Sequence, residues 1–445
     1  MAREHLSREQ VLQAARDRRV LFVNLQFTDI VGQVKSVTVP TAHLESALDR
    51  GVWFDGSSIE GFARISESDM FLRPDPDTFA ILPWQSNEHQ TARLICDVYT
   101  PDGERFLGSP RTALKVALEE AAALGYEYRA GPELEFFLFE CDAAGNPVPG
   151  ATHDHASYFD ATADRGNLVR QDMTTALQAF GIDVETAHHE TAVGQHEIDF
   201  RYDHALTAAD NAVTFKYVLK AVAAQHGIYA TFMPKPIRGV AGSGMHVHQS
   251  LADVHTGANL FADAADPYGL STLARQFLAG QMRHARGMTA VLAPLVNSYK
   301  RLVPGYEAPV YVSWARVNRS ALIRVPRFPS AESARIELRC PDPSCNPYLA
   351  FTVMLRAGLA GMREGLTPPP ATEEDLYTSE GARQGLPVLP GSLREALDAL
   401  ADDAVIQQAL GPHIYERFTD AKRQEWDDYR LSVSQWELDR YLRRF

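Results

Sequence analysis

The segment GPELEFFLFE, residues 131–140, combines the composition of a buried β-strand with acidic residues at Glu133 and Glu135. These two glutamates are two positions apart, so in a strand both side chains point to one face. Phe136 and Leu138 supply apolar bulk beside them. An isolated pair of this kind is more often a solvated strand face. Because like charges on a half-buried face repel unless a cation lies between them, the segment also raises the hypothesis of a metal site.

A second acidic segment lies downstream, in AHHETAVGQHEIDFRY (187–202). Glu190 and Glu197 stand on either side of a predicted turn at Gly194, and a tight hairpin would bring them face to face. Like charges directly opposite each other destabilise a sheet unless a cation bridges them. The hairpin therefore strengthens the metal-site hypothesis.

Two more predicted strands carry residues of the same kind. In GSGMHVHQSL (242–251), His246 and His248 share a face, and ARIELRCPDP (334–343) places Glu337 between two arginines. Several inward-facing acids and histidines are costly to bury without a metal. Carboxylates with an imidazole suit hard cations such as Mg²⁺ or Mn²⁺. The number of acids predicts two or three ions, an arrangement typical of phosphoryl transfer.

A basic region complements these acids. Between residues 300 and 340 the chain has eight Lys and Arg against three acids, although the whole chain has a net charge of −14. Arginine forks fit carboxylate and phosphate oxygens, which predicts an acidic or phosphorylated substrate. No GxxxxGK[ST] segment is present, so a nucleotide would be held by metals and arginines. The basic residues are Lys300, Arg301, Arg316, Arg319, Arg324, Arg327, Arg335 and Arg339.

The composition excludes several classes of protein. The chain has 445 residues, 45% of them hydrophobic and 22% charged, which predicts a globular protein of two to three domains. Its negative charge argues against a general nucleic-acid or anionic-membrane binder. Four cysteines without a CxxC pair exclude a disulfide scaffold and make a zinc ribbon a poor fit. A charged N-terminal segment and the lack of an apolar run of membrane length predict a cytoplasmic protein.

Local patterns divide the chain into two parts. Ser7 and Gln10 form a capping-box pattern for a first helix, and residues 20–40 predict a hairpin that turns at Gly32. Residues 51–79 have no clean period and predict a long functional loop. A helix opening at Ser109-Pro110 puts a domain boundary near 105–109, which divides the chain into domains 1–106 and 107–445.

Beyond that boundary, strands and helices alternate with hairpin spacing, which predicts an antiparallel α+β catalytic domain. Predicted strands cover 130–140, 183–190, 195–202, 228–234, 245–251, 320–326 and 334–340. Predicted helices cover 168–180, 207–226, 270–292, 346–364, 392–400 and 412–444. The proline-rich segment 366–391 is predicted to be a surface connection.

Seven ordered motifs together resemble bacterial type I glutamine synthetase. The resemblance runs from about residue 15 to the C-terminal WELDRYLRRF. The chain is most similar to the shorter, feedback-inhibited subtype that is not adenylylated. The motifs are FDGSSIEGF (54–62), ELE (133–135), HHETAVGQHE (188–197), GSGMHVHQS (242–250), NSYKRLVPGYEAP (297–309), NRSALIRVP (318–326) and RIELRCPDP (335–343).

This resemblance implies a small N-terminal β-grasp domain and a large C-terminal catalytic α/β domain with a curved, mainly antiparallel sheet. It also implies a homododecamer of two hexameric rings, with active sites between subunits. The implied reaction uses ATP to form γ-glutamyl phosphate from L-glutamate, and ammonia then displaces phosphate to give glutamine. The implied role is glutamine biosynthesis in nitrogen metabolism.

The resemblance also assigns residues to roles. The first metal would be held by Glu135, Glu190 and Glu197, and the second by Glu133, His246 and Glu337. Nucleotide contacts fall on Glu185, His248, Ser250, Arg319, Arg324 and Arg335. Glutamate contacts fall on Gly242, Arg301 and Arg339, and the phosphoryl group in transfer would face Arg339 and Arg319. Glu307, in a flap, and Asp55, from the neighbouring subunit, would bind ammonium and take its proton.

Some positions depart from the family pattern. Ala241 replaces a common Asn before GSGMH, and Glu332 stands where some members carry Lys. Tyr377 aligns with the tyrosine that one subtype adenylylates, but Thr378 and Ser379 follow it, unlike that subtype. Arg64 aligns with an arginine associated with feedback inhibition.

Three other functions remain open from sequence. The first is a γ-glutamyl ligase that uses another amine, although such relatives commonly lose the segment that carries Asp55. The second is a non-catalytic sensor or scaffold, which predicts broken metal ligands. The third is a guanidino kinase, which would lack both the DGSS segment and the PGYEAP flap.

Overall fold

A computed structural model describes residues 5–57, 59, 61, 69–85, 90–305 and 308–445. Two β-sheets organise this part of the chain, and their strands and helices are numbered here in chain order. The smaller sheet contains β1 (Val20–Thr28), β2 (Val34–Pro40), β3 (Val52–Asp55), β4 (Asp69–Pro74), β5 (Ala80–Ile81) and β6 (Gln90–Tyr99).

The larger sheet has ten strands. They are β7 (Tyr126–Cys141), β8 (Pro147–Thr152), β9 (Val184–His189), β10 (Gln195–Phe200), β11 (Asp203–His204), β12 (Ile228–Thr231), β13 (Met245–Asp253), β14 (Trp314–Ala315), β15 (Ile323–Arg324) and β16 (Ile336–Leu338). All pairs in this sheet are antiparallel except β14 with β15. The prediction of a mainly antiparallel catalytic sheet is therefore confirmed.

The helices of the described residues cover or flank these sheets. They are α1 (Arg8–Asp17), α2 (Leu44–Arg50), α3 (Pro110–Ala123), α4 (Asn167–Ala179), α5 (Ala205–Gln225), α6 (Thr272–Arg283), α7 (Ala285–Leu292), α8 (Pro347–Glu364), α9 (Glu380–Arg383), α10 (Leu393–Ala401), α11 (Ala404–Leu431) and α12 (Gln435–Tyr441). None of them is long and apolar enough to cross a lipid bilayer.

Local sequence signals explain several boundaries. The Ser7 side chain caps α1 in a capping box with Gln10, as predicted. The predicted hairpin forms between β1 and β2, with Gly32 at φ 85° in its turn. Pro110 occupies the first turn of α3, where its missing N–H costs no hydrogen bond.

Three sequence predictions are wrong in detail. Residues 51–79 are not one long loop, because β3 and β4 pair within them. The predicted helix 270–292 is two helices that meet at His284. The helix predicted at 412–444 does begin after a break within α11 at Gly411, where φ is 73°, but it ends at Leu431, and α12 follows as a separate helix.

The two sheets have separate apolar cores. Val11 of α1 packs with Val23, Leu25 and Leu94 on the smaller sheet. A larger core lies between the ten-stranded sheet and helices α3, α5, α6 and α8. Burying this much apolar surface provides the main driving force for folding, and it fixes the sheet edges that carry the polar residues described below.

Polar contacts join the smaller sheet to the helices of the larger one. Buried Arg111 on α3 forms ion pairs with Asp75 and Asp97 near the smaller sheet, at 2.7 Å each, and with Asp210 on α5 at 2.9 Å. The Asn346 side chain, which caps α8, also donates 2.9 Å to the carbonyl of Asp29 after β1.

Candidate active site

The register of β7 and β10 brings acidic residues together. Glu197 pairs with Glu135, and Asp199 pairs with Glu133, so two carboxylates on each strand face the same region. Side chains directly opposite each other in an antiparallel pair lie about 5 Å apart at Cβ. The predicted grouping of these glutamates is therefore produced by strand pairing.

On its other side, β7 pairs with β13, and β13 pairs with β16. His246 lies opposite Glu133, and His248 lies opposite Glu337. Arg324 on β15 lies opposite Glu337 in turn. Acids, imidazoles and an arginine thus follow one another across adjacent strands.

A cavity of about 530 Å³, the acidic cavity, opens over these strands. All six residues predicted as metal ligands line it, together with five of the predicted arginine and glycine contacts. These eleven residues are Glu133, Glu135, Glu190, Glu197, Gly242, His246, Arg301, Arg319, Arg324, Glu337 and Arg339.

The first acidic cluster contains a histidine that the sequence analysis did not single out. The β9–β10 hairpin pairs Glu197 with His188, so the prediction that Glu190 directly faces Glu197 is wrong. His188 lies between the two acids, with Nδ1 3.6 Å from Glu190 Oε1 and Nε2 3.4 Å from Glu197 Oε2. Strand alternation carries the signal, because His188 is two residues before Glu190.

The second cluster is centred on Glu133. His248 Nε2 lies 2.6 Å from Glu133 Oε1, and His246 Nδ1 lies 3.6 Å from Glu133 Oε2. Glu337 Oε1 is 3.8 Å from His246 Nδ1, so the predicted trio of the second metal is assembled. His248, predicted to contact nucleotide, also belongs to this cluster.

Crowding and burial perturb the acids of the first cluster. Burial, followed by the charge of Glu190, raises the pKa of Glu135 to about 8. Burial, followed by the charges of Asp199 and Glu135, raises the pKa of Glu197 well above its usual range. Carboxylates held this close favour their protonated forms until a cation balances them.

In the second cluster the carboxyl pKa values are lowered instead of raised. Burial acts to raise the pKa of Glu133, but His248 and His246 outweigh burial and hold it well below its usual range. In the same way, His248 and Arg339 outweigh burial at Glu337 and lower the pKa of its carboxyl. Carboxyl groups with raised pKa values beside others with lowered pKa values, all in one cavity, are typical of a functional site.

Arginines line the acidic cavity beside the second cluster. Arg339 Nε donates 3.1 Å to Glu337 Oε1, and Arg324 Nη1 donates 2.7 Å to Glu337 Oε2. Arg339 Nη1 is buried and has no hydrogen-bond partner among the described residues. A buried N–H without a partner is costly, so this group is placed to donate a hydrogen bond to an anionic ligand.

Arg301 and Gly242 also line the acidic cavity. The Arg301 guanidinium is buried and donates to the carbonyls of Arg339, Cys340 and Pro341. A Cβ on Gly242 would lie 2.3 Å from the Pro234 carbonyl, so only glycine fits there. The glycine thus allows its backbone to pack directly against the Pro234 carbonyl and the Arg301 side chain, which lies 3.3 Å from the same Cβ position.

A second cavity of about 330 Å³, the adjoining cavity, shares Glu133 with the acidic cavity. Four predicted nucleotide contacts line it, and the two others, Arg319 and Arg324, line the acidic cavity. Glu332, one of the departures, lies on its wall. The four residues are Glu185, His248, Ser250 and Arg335.

One predicted catalytic residue, Asp55, is not brought together with the rest in its own chain. Asp55 ends β3 on the smaller sheet, is exposed, and lines neither cavity. Its carboxylate accepts a 2.8 Å hydrogen bond from the Ser57 N–H. Glu307 lies outside the described residues, as does Arg64.

Tyr158 is a further cavity residue that the sequence analysis missed. It lines the acidic cavity beside Arg319 and stacks on Phe159, and both rings meet His188 edge to face. No spacing in the sequence links residue 158 to the strands, because a loop carries it there.

The donor set of the acidic cavity fits a hard divalent cation. Carboxylate oxygens dominate, imidazole is the other donor, and the four cysteines are free and lie outside both cavities. Such a set suits Mg²⁺ or Mn²⁺ better than a thiolate-preferring metal. The crowded acids of the first cluster are the groups that a cation would neutralise.

Comparisons with known proteins agree with this arrangement. Residues 19–101 match the family described as "Glutamine synthetase, beta-Grasp domain", and residues 107–441 match "Glutamine synthetase, catalytic domain". The chain is 53% identical to the glutamine synthetase of Thermus thermophilus over 444 residues, covering 98% of this chain and 99% of that one. It is 48% identical to the glutamine synthetase of Staphylococcus aureus strain Mu50 over 450 residues, covering all of both chains.

Among solved structures, a GmaS/ADP complex is 33% identical and superposes with a TM-score of 0.88, covering 97% of this chain and 99% of the other. A ligand-free GmaS structure matches with the same score. The expected fold class, a β-grasp domain with a larger α/β catalytic domain, is confirmed.

Proposed function

Because the chain belongs to the glutamine synthetase family, we propose that it joins ammonia to the γ-carboxylate of L-glutamate at the expense of ATP. It is a glutamate–ammonia ligase that yields glutamine, ADP and phosphate. The observation that carries this function is the acidic cavity, where two carboxylate clusters and several arginines line one space next to the adjoining cavity. This combination of charges suits an acidic substrate that binds next to a nucleotide.

The two clusters are proposed to hold divalent cations. Glu135, Glu190 and Glu197 would hold the first, and Glu133, His246 and Glu337 the second. The preferred ion is Mg²⁺ or Mn²⁺, two to three per site, because the donors are oxygen-rich. Bound ions would neutralise phosphate oxygens during transfer.

Arginines and a glycine that line the acidic cavity are proposed to bind the substrates. Arg339 Nη1, which lacks a partner among the described residues, would donate to the glutamate carboxylate and then to the phosphoryl oxygens. Arg301 would hold glutamate with the backbone at Gly242, and Arg319 would face the phosphoryl group. Such fixed donors stabilise charge as it develops without reorganising.

ATP is proposed to lie in the adjoining cavity, with its phosphates directed toward the acidic cavity through the wall at Glu133. The contacts would come from Glu185, His248, Ser250, Arg319, Arg324 and Arg335. The similar GmaS structure holds ADP, which supports a nucleotide site in this fold.

The proposed reaction has two chemical steps. The γ-carboxylate attacks the γ-phosphorus of ATP, ADP leaves, and γ-glutamyl phosphate forms. Asp55 of a neighbouring subunit and Glu307 would bind ammonium and remove its proton, since ammonium has no lone pair for attack. Ammonia then adds to the acyl carbon and phosphate leaves. The segment around Glu307 would exclude water, which otherwise hydrolyses the acyl phosphate.

The assembly is proposed to be a dodecamer of two hexameric rings. Asp55 is exposed on the smaller sheet and lines neither cavity of its own chain, which fits a role in a neighbour's site. The last residues support contacts between copies, because they expose large apolar side chains without burying them on their own chain. These are Leu431, Val433, Trp436, Leu438, Tyr441, Leu442 and Phe445.

We also propose that the chain has two domains, 1–106 and 107–445, and that it is cytoplasmic. Family matches at 19–101 and 107–441 support the division. All four cysteines are free thiols, which suits a reducing compartment.

The proposed subtype is the shorter, non-adenylylated one. Tyr377 lines the acidic cavity, and its hydroxyl oxygen is buried. A modifying enzyme could not reach this oxygen without moving the surrounding chain. Regulation by feedback inhibitors therefore suits the chain better.

The deciding experiment measures ADP and glutamine formed from ATP, glutamate and Mg²⁺ or Mn²⁺, with ammonium tested beside putrescine, spermidine, ethanolamine and methylamine. We expect turnover with ammonium and little with the organic amines. Turnover with an organic amine alone would make the chain a γ-glutamylamide ligase. No turnover with any amine would favour a sensor or scaffold.

A further inference from the structure

A buried polar network lies beneath the first cluster and outside the acidic cavity. It joins Asp154 to His189 on β9, and Arg170 on α4 to His196 on β10. Asp164 completes the network with two hydrogen bonds from the Arg170 guanidinium. Asp154, His189, His196 and Arg170 are all buried. Burying so many ionisable groups costs free energy of desolvation. We therefore expect the network to serve a function.

His189 carries protons on both ring nitrogens in this arrangement. Its Nδ1 lies 2.6 Å from the Glu190 carbonyl oxygen, and its Nε2 lies 2.8 Å from Asp154 Oδ1. Both partners are acceptors, so both nitrogens must donate. His189 and Asp154 therefore form a buried ion pair.

Neighbouring His196 is not available as a metal ligand, although Asp154, His189 and His196 are close enough to suggest a metal site. Arg170 Nη1 lies 2.8 Å from His196 Nδ1, and a guanidinium can only donate. Nδ1 is thus the acceptor of a neutral ring whose proton lies on Nε2. The buried network is a hydrogen-bonded support and not a fourth metal site.

The ion pair holds both ends of the turn that carries Glu190. His189 donates to the Glu190 carbonyl at one end, and Asp154 Oδ1 accepts 3.2 Å from the Gly194 N–H at the other. The turn is closed by the Glu190 N–H, which donates 2.8 Å to the Gln195 carbonyl.

Gln195 extends this support to β7. Its side-chain Nε2 donates 2.8 Å to Glu135 Oε2 and 3.3 Å to the Gly242 carbonyl. Gln195 directly follows Gly194, the residue that Asp154 holds. All three acids proposed for the first metal thus depend on one turn: Glu190 lies in it, Glu197 follows it on β10, and Glu135 is oriented by Gln195.

We propose that Asp154 and His189 are positioning residues that hold the Glu190–Gln195 turn in the shape required to bind the first divalent cation. Within the described part of the chain, no hydrogen bond or ion pair joins this pair to the second cluster, so the loss of the pair should weaken the first cation site more than the second. This inference rests on the metal-dependent function proposed above. Removing a hydrogen-bonded partner behind a metal ligand typically lowers metal affinity by about 10- to 100-fold.

The test compares Mn²⁺ binding by the full-length chain and its Asp154→Asn variant, followed by electron paramagnetic resonance of free Mn²⁺. We expect one class of sites to weaken about tenfold or more, while the other changes less than about threefold. In activity assays the Mn²⁺ concentration at half-maximal rate should rise, whereas kcat at saturating Mn²⁺ should stay close to that of the unmodified protein.

The matched control is Asp210→Asn, which also removes a buried carboxylate from an ion pair, here with Arg111. It should lower the free energy of unfolding without changing either class of Mn²⁺ sites. A second variant, His189→Gln, keeps one donor and should weaken the same class of sites by a smaller factor.

Equal Mn²⁺ binding by Asp154→Asn and Asp210→Asn, with the unmodified protein binding Mn²⁺ and forming glutamine, would overturn this inference alone. Equal weakening of both site classes would overturn it too, since the effect would then be general. An unmodified chain that binds no Mn²⁺ and forms no product would overturn the proposed function and this inference together. If Asp154→Asn does not fold, unchanged Mn²⁺ binding by His189→Gln is the contradicting result.

Discussion

Arg339 links the second acidic cluster to the substrate side of the cavity. The Nε of its guanidinium donates a hydrogen bond to Glu337, whereas its buried Nη1 has no partner among the described residues. The side chain is therefore oriented before any substrate arrives. Orientation without later reorganisation is what makes such a donor effective in catalysis.

Replacing this guanidinium should damage catalysis far more than folding. We expect Arg339→Gln to lower kcat/KM for glutamate by about a hundredfold or more, because a donor to developing negative charge is lost. Steady-state kinetics at saturating ATP and metal would measure the effect. Arg316→Gln, from the same basic region but outside both cavities, is the control and should stay within about twofold. Similar losses in both variants would contradict the assigned role.

The composition of the acidic cavity could be predicted from sequence because strand alternation places residues two apart on one face. Glu133 with Glu135 and His246 with His248 are of this kind. Strand alternation alone does not predict the partners of each cluster, because they depend on register between strands; the two trios of metal ligands came from the family resemblance. His188, not Glu190, lies opposite Glu197 for this reason.

Among the elements, α3 and β6 are joined by a buried ionic network. Asp97 on β6 receives hydrogen bonds from Arg111 and from Lys115 on α3. Burial acts to raise the pKa of Asp97, but these two cations outweigh burial and lower it. The folded protein therefore favours the ionised carboxylate more than the unfolded chain does.

This shift sets the direction of an acid effect on stability. The contribution of Asp97 is complete above its unfolded pKa near 3.8 and is lost as pH falls through the lower folded value. Urea titrations should show Asp97→Asn less stable than the unmodified protein at pH 7, with the gap narrowing as pH falls below about 4. Asp102→Asn, at an exposed turn, is the control and should show no gap at either pH. A gap that stays constant with pH would refute the linkage.

Helices α6 and α8 approach closely through glycine. A Cβ on Gly280 would lie 2.2 Å from the Ala357 carbonyl and 2.8 Å from Gly361 Cα. We expect Gly280→Ala to destabilise the protein by about 1–3 kcal/mol through overpacking, despite the better helix propensity of alanine. Thermal unfolding would measure the change. Gly381→Ala in α9, where a Cβ meets nothing within 4 Å, should be neutral or stabilising. Equal effects at both sites would exclude close packing as the cause.

Helix boundaries were predicted well where capping residues mark them and poorly where distant contacts decide. The break between α6 and α7 occurs at His284, whose Nδ1 lies 2.9 Å from Asp403 Oδ2 before α11. That contact spans more than a hundred residues and leaves no local signal. By contrast, α1 begins directly after the capping box of Ser7 and Gln10 that the sequence predicts.

For the assembled protein, a shared active site makes a direct prediction about mixtures of inactive chains. Asp55→Ala and Glu197→Ala should each be nearly inactive alone, because each damages a different half of every site. When the two are co-expressed in equal amounts, about one quarter of the shared sites should combine two intact halves. Glutamine formation per chain would measure this recovery.

The control for that mixture combines two chains whose substitutions both lie in the acidic cavity. Glu197→Ala co-expressed with Glu337→Ala should show no recovery, since every site then carries a damaged acidic cavity. Absence of recovery with Asp55→Ala as well would place the complete site within one chain.

The Asn346 contact has a consequence for the order in which the nascent chain acquires its structure. Every strand of the smaller sheet is synthesised by residue 99, so this sheet can form while the ribosome is still working. Its attachment through Asp29 must wait, because Asn346 emerges more than three hundred residues later. During that interval the N-terminal unit can contact α3 through Arg111, but Ile30 is separated from the parts of the larger core that are synthesised later. A growing polypeptide would therefore present this apolar surface to chaperones until the cap of α8 leaves the exit tunnel.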